Sequence, residues 1–383
     1  MALSEQDELY LARALGLAQD AVGLASPNPT VGCVLVRDGV VLGEGAHRYD
    51  FYDHAEIVAL KHAAAAGHEV QGATAYVTLE PCSHHGRTGP CADALVAAGI
   101  ARCVVGTVDP NPVVSGSGLA KLRAGEVEVV VAESELARRL NDGFAFSVMH
   151  GRPFVTLKAA VSLDGMLAPP VVERVAQEPV WLTGEAARAD VQQLRHASDA
   201  ILSGVGTVLA DDPSLTDRTG LARRRPLLRV ILDSELRMPL ESAVIASVAN
   251  DLLVVTTDRA SAETERLFVE RGAEVIRVRA DAYGQVDLVA VLEMLQQRQV
   301  RSLLLECGSA LNGAFLSAGL VDRVVLYISE VELGVGAVPF AVGQASPYVL
   351  QDKLTSVSRL EFPHGVLEDV RISGYLRDPW AGV

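Results

Sequence analysis

The sequence predicts an α/β protein of two domains. Strand-like and helix-like patterns alternate along its 383 residues, the rhythm of mostly parallel sheets covered by helices. That length exceeds what one ordinary core serves. Near the middle, Gly151-Arg152-Pro153 breaks the pattern, since Pro153 disfavours helix at Arg152, and a new strand follows at once. The domains are therefore expected over 1–150 and 151–383.

In the first half, apolar residues at helical spacing predict a helix over 9–25. Strands at 30–36 and 40–44 flank Asp38-Gly39 as a hairpin. A helix begins at His54, where Ile57, Val58, Leu60 and the alanines 63–66 continue it. A strand at 75–79, a helix over 91–98 and a strand at 102–107 follow. The second half restarts with a strand at 154–161. Further strands are expected at 200–203, 228–232, 252–255, 302–306 and 324–328, with helices over 185–196, 262–271, 288–297 and 312–318. At roughly 230 residues this half is large enough for its own core.

Hydrophobic residues make up 49% and charged residues 21%, the composition of a soluble globular protein. The net charge is −15, and residues 1–150 carry 10 Lys and Arg against 18 Asp and Glu. Nucleic-acid binding needs a basic footprint, so a small soluble substrate is expected and a polynucleotide is not. The acidic, polar start has no basic and apolar signal sequence, and no apolar run reaches the roughly 18 residues of a membrane span. Five cysteines, an odd number, fit a reducing cytoplasm and no disulfide framework. Cys33, Cys103 and Cys307 read as packing residues. A homo-oligomer is expected.

The chemistry concentrates in His54-Ala55-Glu56 and in Pro81-Cys82 through Pro90-Cys91. One imidazole and two thiols form a three-ligand Zn²⁺ set with an open fourth position. Zinc there lowers the pKa of a water towards neutrality, and Glu56, beside the ligand histidine, is placed to shuttle protons. His54, Cys82 and Cys91 are thus read as ligands and Glu56 as the shuttle. Two plainer readings compete: cysteines as core residues, and a structural zinc completed by His84 or His85. Glu56 at a helix start favours the catalytic zinc.

In order, Ser26-Pro27-Asn28-Pro29-Thr30-Val31-Gly32-Cys33, Gly43-Glu44-Gly45-Ala46-His47, His-Ala-Glu at 54–56, Thr78-Leu79-Glu80-Pro81-Cys82-Ser83-His84-His85-Gly86-Arg87-Thr88-Gly89-Pro90-Cys91 and Asp109-Pro110-Asn111-Pro112 resemble the deaminase half of the bifunctional riboflavin-biosynthesis deaminase/reductases. Eight residues between the cysteines make the match specific. The second half resembles that family's reductase, through Leu157-Lys158, Ser162-Leu163-Asp164-Gly165, Trp181-Leu182-Thr183-Gly184, Gln193-Leu194-Arg195, the run from Gly206 to Thr216, Leu232-Asp233-Ser234 and Glu306-Cys307-Gly308.

The resemblance implies a cytidine-deaminase-like α/β/α domain followed by a dihydrofolate-reductase-like α/β domain. It implies zinc-dependent deamination of a phosphorylated 2,5-diaminopyrimidinone, then reduction of its ribosyl group to ribityl with NADPH. By family position Asn28 and His47 would hold the pyrimidine or ribose, and His84, Arg87, Asp109 and Asn111 the sugar-phosphate end. Ala160, Trp181, Thr207, Asp211, Ser234 and the turn Gly308, Ser309, Ala310, Leu311, Asn312, Gly313 and Ala314 would contact NADPH. Arg195, Leu215, Arg218 and Glu306 would contact substrate, with Lys158 and Glu306 orienting or protonating the sugar. Asn28, Asp109 and Asn111 are also ordinary turn residues, and Arg195 reads equally as a solvated helix charge.

The second half departs from the family at 166–170, around 179 where Pro179 replaces a usual serine, and at Ser329-Glu330-Val331-Glu332-Leu333-Gly334, where two acids replace a Pro-Lys pair. The alternative is therefore a deaminase whose second domain is altered or serves oligomerisation. Asp53 is read as a helix cap in preference to a partner of the ligand imidazole. Arg223-Arg224-Arg225 is read as a solvated loop in preference to a 2′-phosphate site.

Overall fold

A computed structural model describes the chain apart from residues 1–2, 85–88, 113, 174–179, 345, 365–366 and 383. The chain divides into two compact units. The first comprises Met1–Gly151, Ala222–Arg225 and Trp380–Val383, and the second Arg152–Leu221 and Pro226–Pro379.

The first unit contains α1 (Glu5–Asp20), β1 (Gly32–Arg37), β2 (Val40–Ala46), α2 (Ala55–Ala65), β3 (Thr74–Val77), α3 (Cys91–Ala97), β4 (Arg102–Val105), α4 (Ser117–Ala124), β5 (Glu128–Val131), α5 (Glu135–Arg139) and α6 (Asp142–His150). Its sheet runs β2-β1-β3-β4-β5. The expectation of a mostly parallel sheet is corrected here: β1 pairs antiparallel with both β2 and β3, while β3–β4 and β4–β5 are parallel. Asp38 and Gly39 both take positive φ, the two-residue turn that suits a right-twisted hairpin.

The strands alternate between two apolar layers. Cys33, Leu35, Ala75, Val77, Cys103 and Val105 face one layer with α2, α3 and α4. Val34, Val36, Tyr76 and Val104 face the other, against Tyr10, Leu11 and Ala14 of α1. Cys33 and Cys103 are packing residues, fully buried. Helix α1 starts earlier than expected, because Ser4 and Asp7 form a reciprocal capping box. The face that α2 buries is not its large apolar residues but Ala55, Ala59 and Ala63, one above another at i, i+4 spacing. Gly43 and Gly45 of β2 admit that face: an added Cβ would meet Ala59 O at 2.3 Å or Val58 Cγ1 at 2.5 Å. This close approach seats the body of α2 on β2, and His54 and Glu56 sit at that helix's start.

Asp7 also accepts from Arg102 at 2.5 and 3.0 Å and from the Tyr76 hydroxyl at 3.0 Å. Arg102 holds its carboxyl well below the ordinary 3.8. A depressed folded pKa contributes stability that is full above the ordinary value and fades as pH falls towards the folded one. Asp7→Asn should therefore cost about 3 kcal/mol at neutral pH. Urea unfolding should show the gap to wild type narrowing below about pH 4.

Two short segments join this unit. Arg224 lies over the Tyr49 ring at 3.9 Å and donates to Asp50 at 3.0 Å, which corrects the reading of 223–225 as a solvated loop. Trp380 is buried and donates to Asp142 at 3.1 Å.

The second unit contains β6 (Phe154–Val161), β7 (Met166–Ala168), α7 (Glu185–Ala197), β8 (Ala200–Gly204), α8 (Val205–Asp211), β9 (Leu228–Leu232), α9 (Ala243–Ala246), β10 (Leu252–Thr256), α10 (Ala262–Glu270), β11 (Glu274–Arg277), α11 (Leu288–Gln297), β12 (Ser302–Leu305), α12 (Ser309–Ser317), β13 (Arg323–Ile328), β14 (Val338–Pro339), α13 (Pro347–Gln351), β15 (Thr355–His364) and β16 (Leu367–Tyr375). Its main sheet runs β11-β10-β9-β8-β12-β6-β13-β16-β15. It is parallel through β13 and closes with the antiparallel pairs β13–β16 and β16–β15. The central strands are buried on both faces, which explains their unbroken apolar runs. The β15–β16 hairpin and β11 were not expected; their mixed sequences lack such runs. Among the described residues, no helix is long and apolar enough to cross a membrane.

Candidate active sites

His54 is the N-cap of α2, Cys91 is the first residue of α3, and Cys82 lies in the loop after β3. The fold brings their donor atoms within 4.8 Å of one another. The two Sγ atoms lie 3.5 and 3.3 Å from His54 Nδ1. Tetrahedral Zn–N and Zn–S bonds of about 2.0–2.3 Å require donors about 3.3–3.8 Å apart, so the triad fits zinc. Cys91 donates to Cys82 and holds that thiol down at about 4, while the same contact pushes Cys91 up. Two thiols this close share one proton until a cation compensates the second charge. His84 is exposed and stands outside the cluster; His85 and Arg87 lie outside the described residues.

Glu56 is 3% exposed, and burial pushes its carboxyl up to about 7 against the pull of His54. A carboxyl poised near neutrality both takes and gives protons. Around it, the buried His47 ring meets His54 edge to face at 5.3 Å. His47 Nδ1 lies 2.8 Å from the Asp53 carbonyl and so carries the hydrogen, leaving Nε2 to accept from Asn28 Nδ2 at 3.1 Å. Burial depresses the His47 pKa and favours this neutral form. Asn28 is thereby turned with its amide oxygen away from His47. Asp53 neither caps α2 nor orients the ligand: its carboxylate pairs with Lys61 at 2.6 Å, the N-cap being His54. Asp109 is buried, which pushes its carboxyl to about 6, and accepts from Asn111 N at 2.8 Å.

In the second unit a cavity of about 670 Å³ opens at the C-terminal ends of β6, β8 and β12. Ten of the sequence-derived residues line it: Lys158, Ala160, Trp181, Arg195, Thr207, Asp211, Leu215, Arg218, Glu306 and Gly308. At its wall Arg195 grips Glu306 through two bonds of 2.8 and 3.1 Å, and Lys158 Nζ lies 3.7 Å from the same carboxylate. Arg195 is thus buried and paired, not a solvated helix charge. Burial pushes Glu306 up, but Arg195 and Lys158 outweigh it and hold the carboxyl at about 2. Burial lowers the pKa of Lys158, against the pull of Glu306.

Leu215 is held at φ +55 between two anchored carbonyls. Ser214 O accepts from the fully buried Arg229 at 2.9 Å, and Thr216 O from Arg195 at 2.9 Å. Nothing in the sequence marks Arg229 for this work. Ser234 does not line the cavity; its hydroxyl contacts Gln285 and Val286 N. Ser309, Ala310, Leu311, Asn312, Gly313 and Ala314 form the start of α12 and are likewise absent from the lining. Asn312 donates inward to Phe340 O at 2.9 Å and accepts from Cys307, and Gly313 abuts the Val342 backbone. Among the described residues, Ser309 Oγ is buried without a hydrogen-bond partner beside Gly308. Cys307 lines the cavity besides packing. Glu330 and Glu332 are exposed and stay off the lining, because Asp164 anchors the loop through Leu333 N and Gly334 N. Pro179 lies outside the described residues.

Residues 4–107 match the family described as the cytidine and deoxycytidylate deaminase zinc-binding region, and 153–366 match the RibD C-terminal domain. The chain is 41% identical over 346 residues to the riboflavin biosynthesis protein RibD of Escherichia coli (strain K12), covering 86% of this chain and 89% of that one. It is 40% identical over 336 residues to that of Aquifex aeolicus, covering 87% and 90%. Among solved structures, RibD of Acinetobacter baumannii superposes with a TM-score of 0.79 at 35% identity, covering 96% of this chain and 98% of that chain. A diaminohydroxyphosphoribosylaminopyrimidine deaminase/5-amino-6-(5-phosphoribosylamino)uracil reductase from Thermotoga maritima also reaches 0.79, at 32% identity and covering 97% and 99%.

Proposed function

The chain belongs to the RibD family of riboflavin-biosynthesis proteins, a pyrimidine deaminase joined to a reductase, and from that premise we propose its substrates and the roles of its residues. The first unit hydrolyses the 2-amino group of 2,5-diamino-6-(5-phosphoribosylamino)pyrimidin-4(3H)-one. The second reduces the ribosyl group of the product to ribityl, giving 5-amino-6-(5-phosphoribitylamino)uracil. The observation that carries this reading is the buried Glu56 carboxyl beside a three-donor zinc site.

His54, Cys82 and Cys91 hold the metal. When bound, Zn²⁺ supplies a water acidified towards neutrality. Glu56, with its carboxyl near 7, would take up a proton and return protons to the pyrimidine ring and the departing ammonia. Asn28, oriented by His47, offers its oxygen to a pyrimidine N–H, and His84, Asp109 and Asn111 are proposed for the sugar-phosphate end, with Arg87 assigned there by family position alone.

NADPH supplies the hydride in the second unit. Thr207, Asp211, Trp181 and the Gly308–Ser309 turn are proposed to hold it, with Ala160 at its side. Lys158 would hold a proton at the sugar ring oxygen, which becomes a hydroxyl when the ring opens in the reduction. Glu306 keeps Lys158 placed and charged, and Arg195 fixes Glu306. Leu215 and Arg218 face the substrate. The odd cysteine count of five supports a cytoplasmic setting.

The test supplies zinc-loaded protein with the ribotide and follows ammonia and NADPH together. Ammonia release preceding NADPH loss is expected; neither signal from folded, zinc-loaded protein would sink the substrate reading. Cys82→Ser should lose zinc and ammonia release but still oxidise NADPH when given 5-amino-6-(5-phosphoribosylamino)uracil directly. A loss of both activities with intact folding would contradict two separate sites.

A further inference from the structure

We propose that Glu80 is a positioning residue of the deaminase site, locking the loop that carries Asp109 and Asn111 onto the limb that carries the metal ligand Cys82. Glu80 stands two residues before Cys82 and is 3% exposed. Its carboxylate takes four backbone N–H groups from one stretch of chain. Oε2 accepts from Asp109 N at 3.1 Å and Gly116 N at 2.9 Å, and Oε1 from Gly118 N at 2.8 Å and Leu119 N at 3.3 Å. Three of these donors surround the start of α4, where N–H groups have no helical acceptor. Charge-assisted bonds to a buried carboxylate are the strong kind, and four of them specify one loop conformation.

Two further contacts tighten the seam. Gly118 lies so close that an added Cβ would meet Pro81 O at 1.9 Å. The Ser83 and Ser117 hydroxyls lie 2.6 Å apart. Residues 80–83 and 116–119 therefore move as one piece, and Asp109 is tied to the same carboxylate through its own backbone. Asp109 in turn accepts from Asn111 N, so the chain of contacts runs from beside a metal ligand to two of the four residues assigned to the sugar-phosphate end. With four N–H groups on it, Glu80 has no role left at the substrate itself; it sets the distance between the metal and the loop that reads the phosphoribosyl group.

The inference rests on the deaminase reading above, so turnover is paired with amide exchange, which needs no substrate. Glu80→Gln keeps the shape but replaces one acceptor oxygen with an NH₂ that faces N–H donors. In full-length zinc-loaded protein the variant should keep one zinc per chain and exchange the amides of Asp109, Gly116, Gly118 and Leu119 at least tenfold faster. KM for the ribotide should rise at least tenfold while kcat stays within about threefold, a split that general destabilisation would not produce. Gly118→Ala, which pushes the same loop off Pro81, should raise KM likewise and serves should Glu80→Gln fail to fold. Unchanged exchange at these four amides would overturn the proposal. So would loss of zinc and kcat at constant KM, which would make Glu80 a support of the metal alone. Wild type that released no ammonia would overturn the deaminase reading by itself, with exchange still deciding whether Glu80 holds the loop.

Discussion

Glu56→Gln should lower ammonia release by about 10³–10⁴-fold while zinc stays at one per chain and NADPH oxidation of the deaminated ribotide is unchanged. Gln matches Glu in size and keeps the packing of α2 against Gly43 and Gly45. It cannot carry a proton, and the carboxyl it replaces is the buried one that burial sets near 7. It donates nothing to the metal, so the His54, Cys82 and Cys91 set is intact. Metal analysis beside an ammonia assay checks this. A variant that lost zinc in step with activity would show that Glu56 supports the site and does not work in it.

Lys158→Met should have the second-largest effect, a fall in NADPH oxidation of about 10²–10⁴-fold with ammonia release unaffected. Met keeps the reach of the side chain within β6 and removes its proton. Glu306 stays paired with Arg195 at 2.8 Å, so the variant does not leave a lone buried charge. Single-turnover NADPH oxidation with the deaminated ribotide is the measurement. Retained rates would move the proton's source elsewhere in the cavity.

The two sites differed in how plainly the sequence announced them. His54, Glu56, Cys82 and Cys91 were legible because ligand type, order and spacing are a local pattern, and the Asp38-Gly39 hairpin because two positive-φ residues suit one turn. Lys158, Arg195 and Glu306 come from β6, α7 and the end of β12. Nothing local links them, and the family resemblance alone named them together. Residues acting through others were invisible. Arg229 acts through the Ser214 carbonyl, a partner that no local pattern announces, and Glu80 lies inside a recognised motif that gives it no role. The buried face of α2 is made by Ala55, Ala59 and Ala63 and not by Ile57, Val58 and Leu60, because a helix pressed against glycines needs alanines. The β15–β16 hairpin escaped notice because its residues alternate loosely and carry charge at the sheet edge.

The most direct test of two reactions on one chain is the mass of the product formed from the diaminopyrimidinone ribotide with zinc-loaded protein and NADPH dideuterated at nicotinamide C4. A single product is expected, with oxygen in place of the 2-amino nitrogen and one deuterium at the former C1′. Oxygen without deuterium would contradict the reductase, and deuterium without oxygen would contradict the order of the two steps.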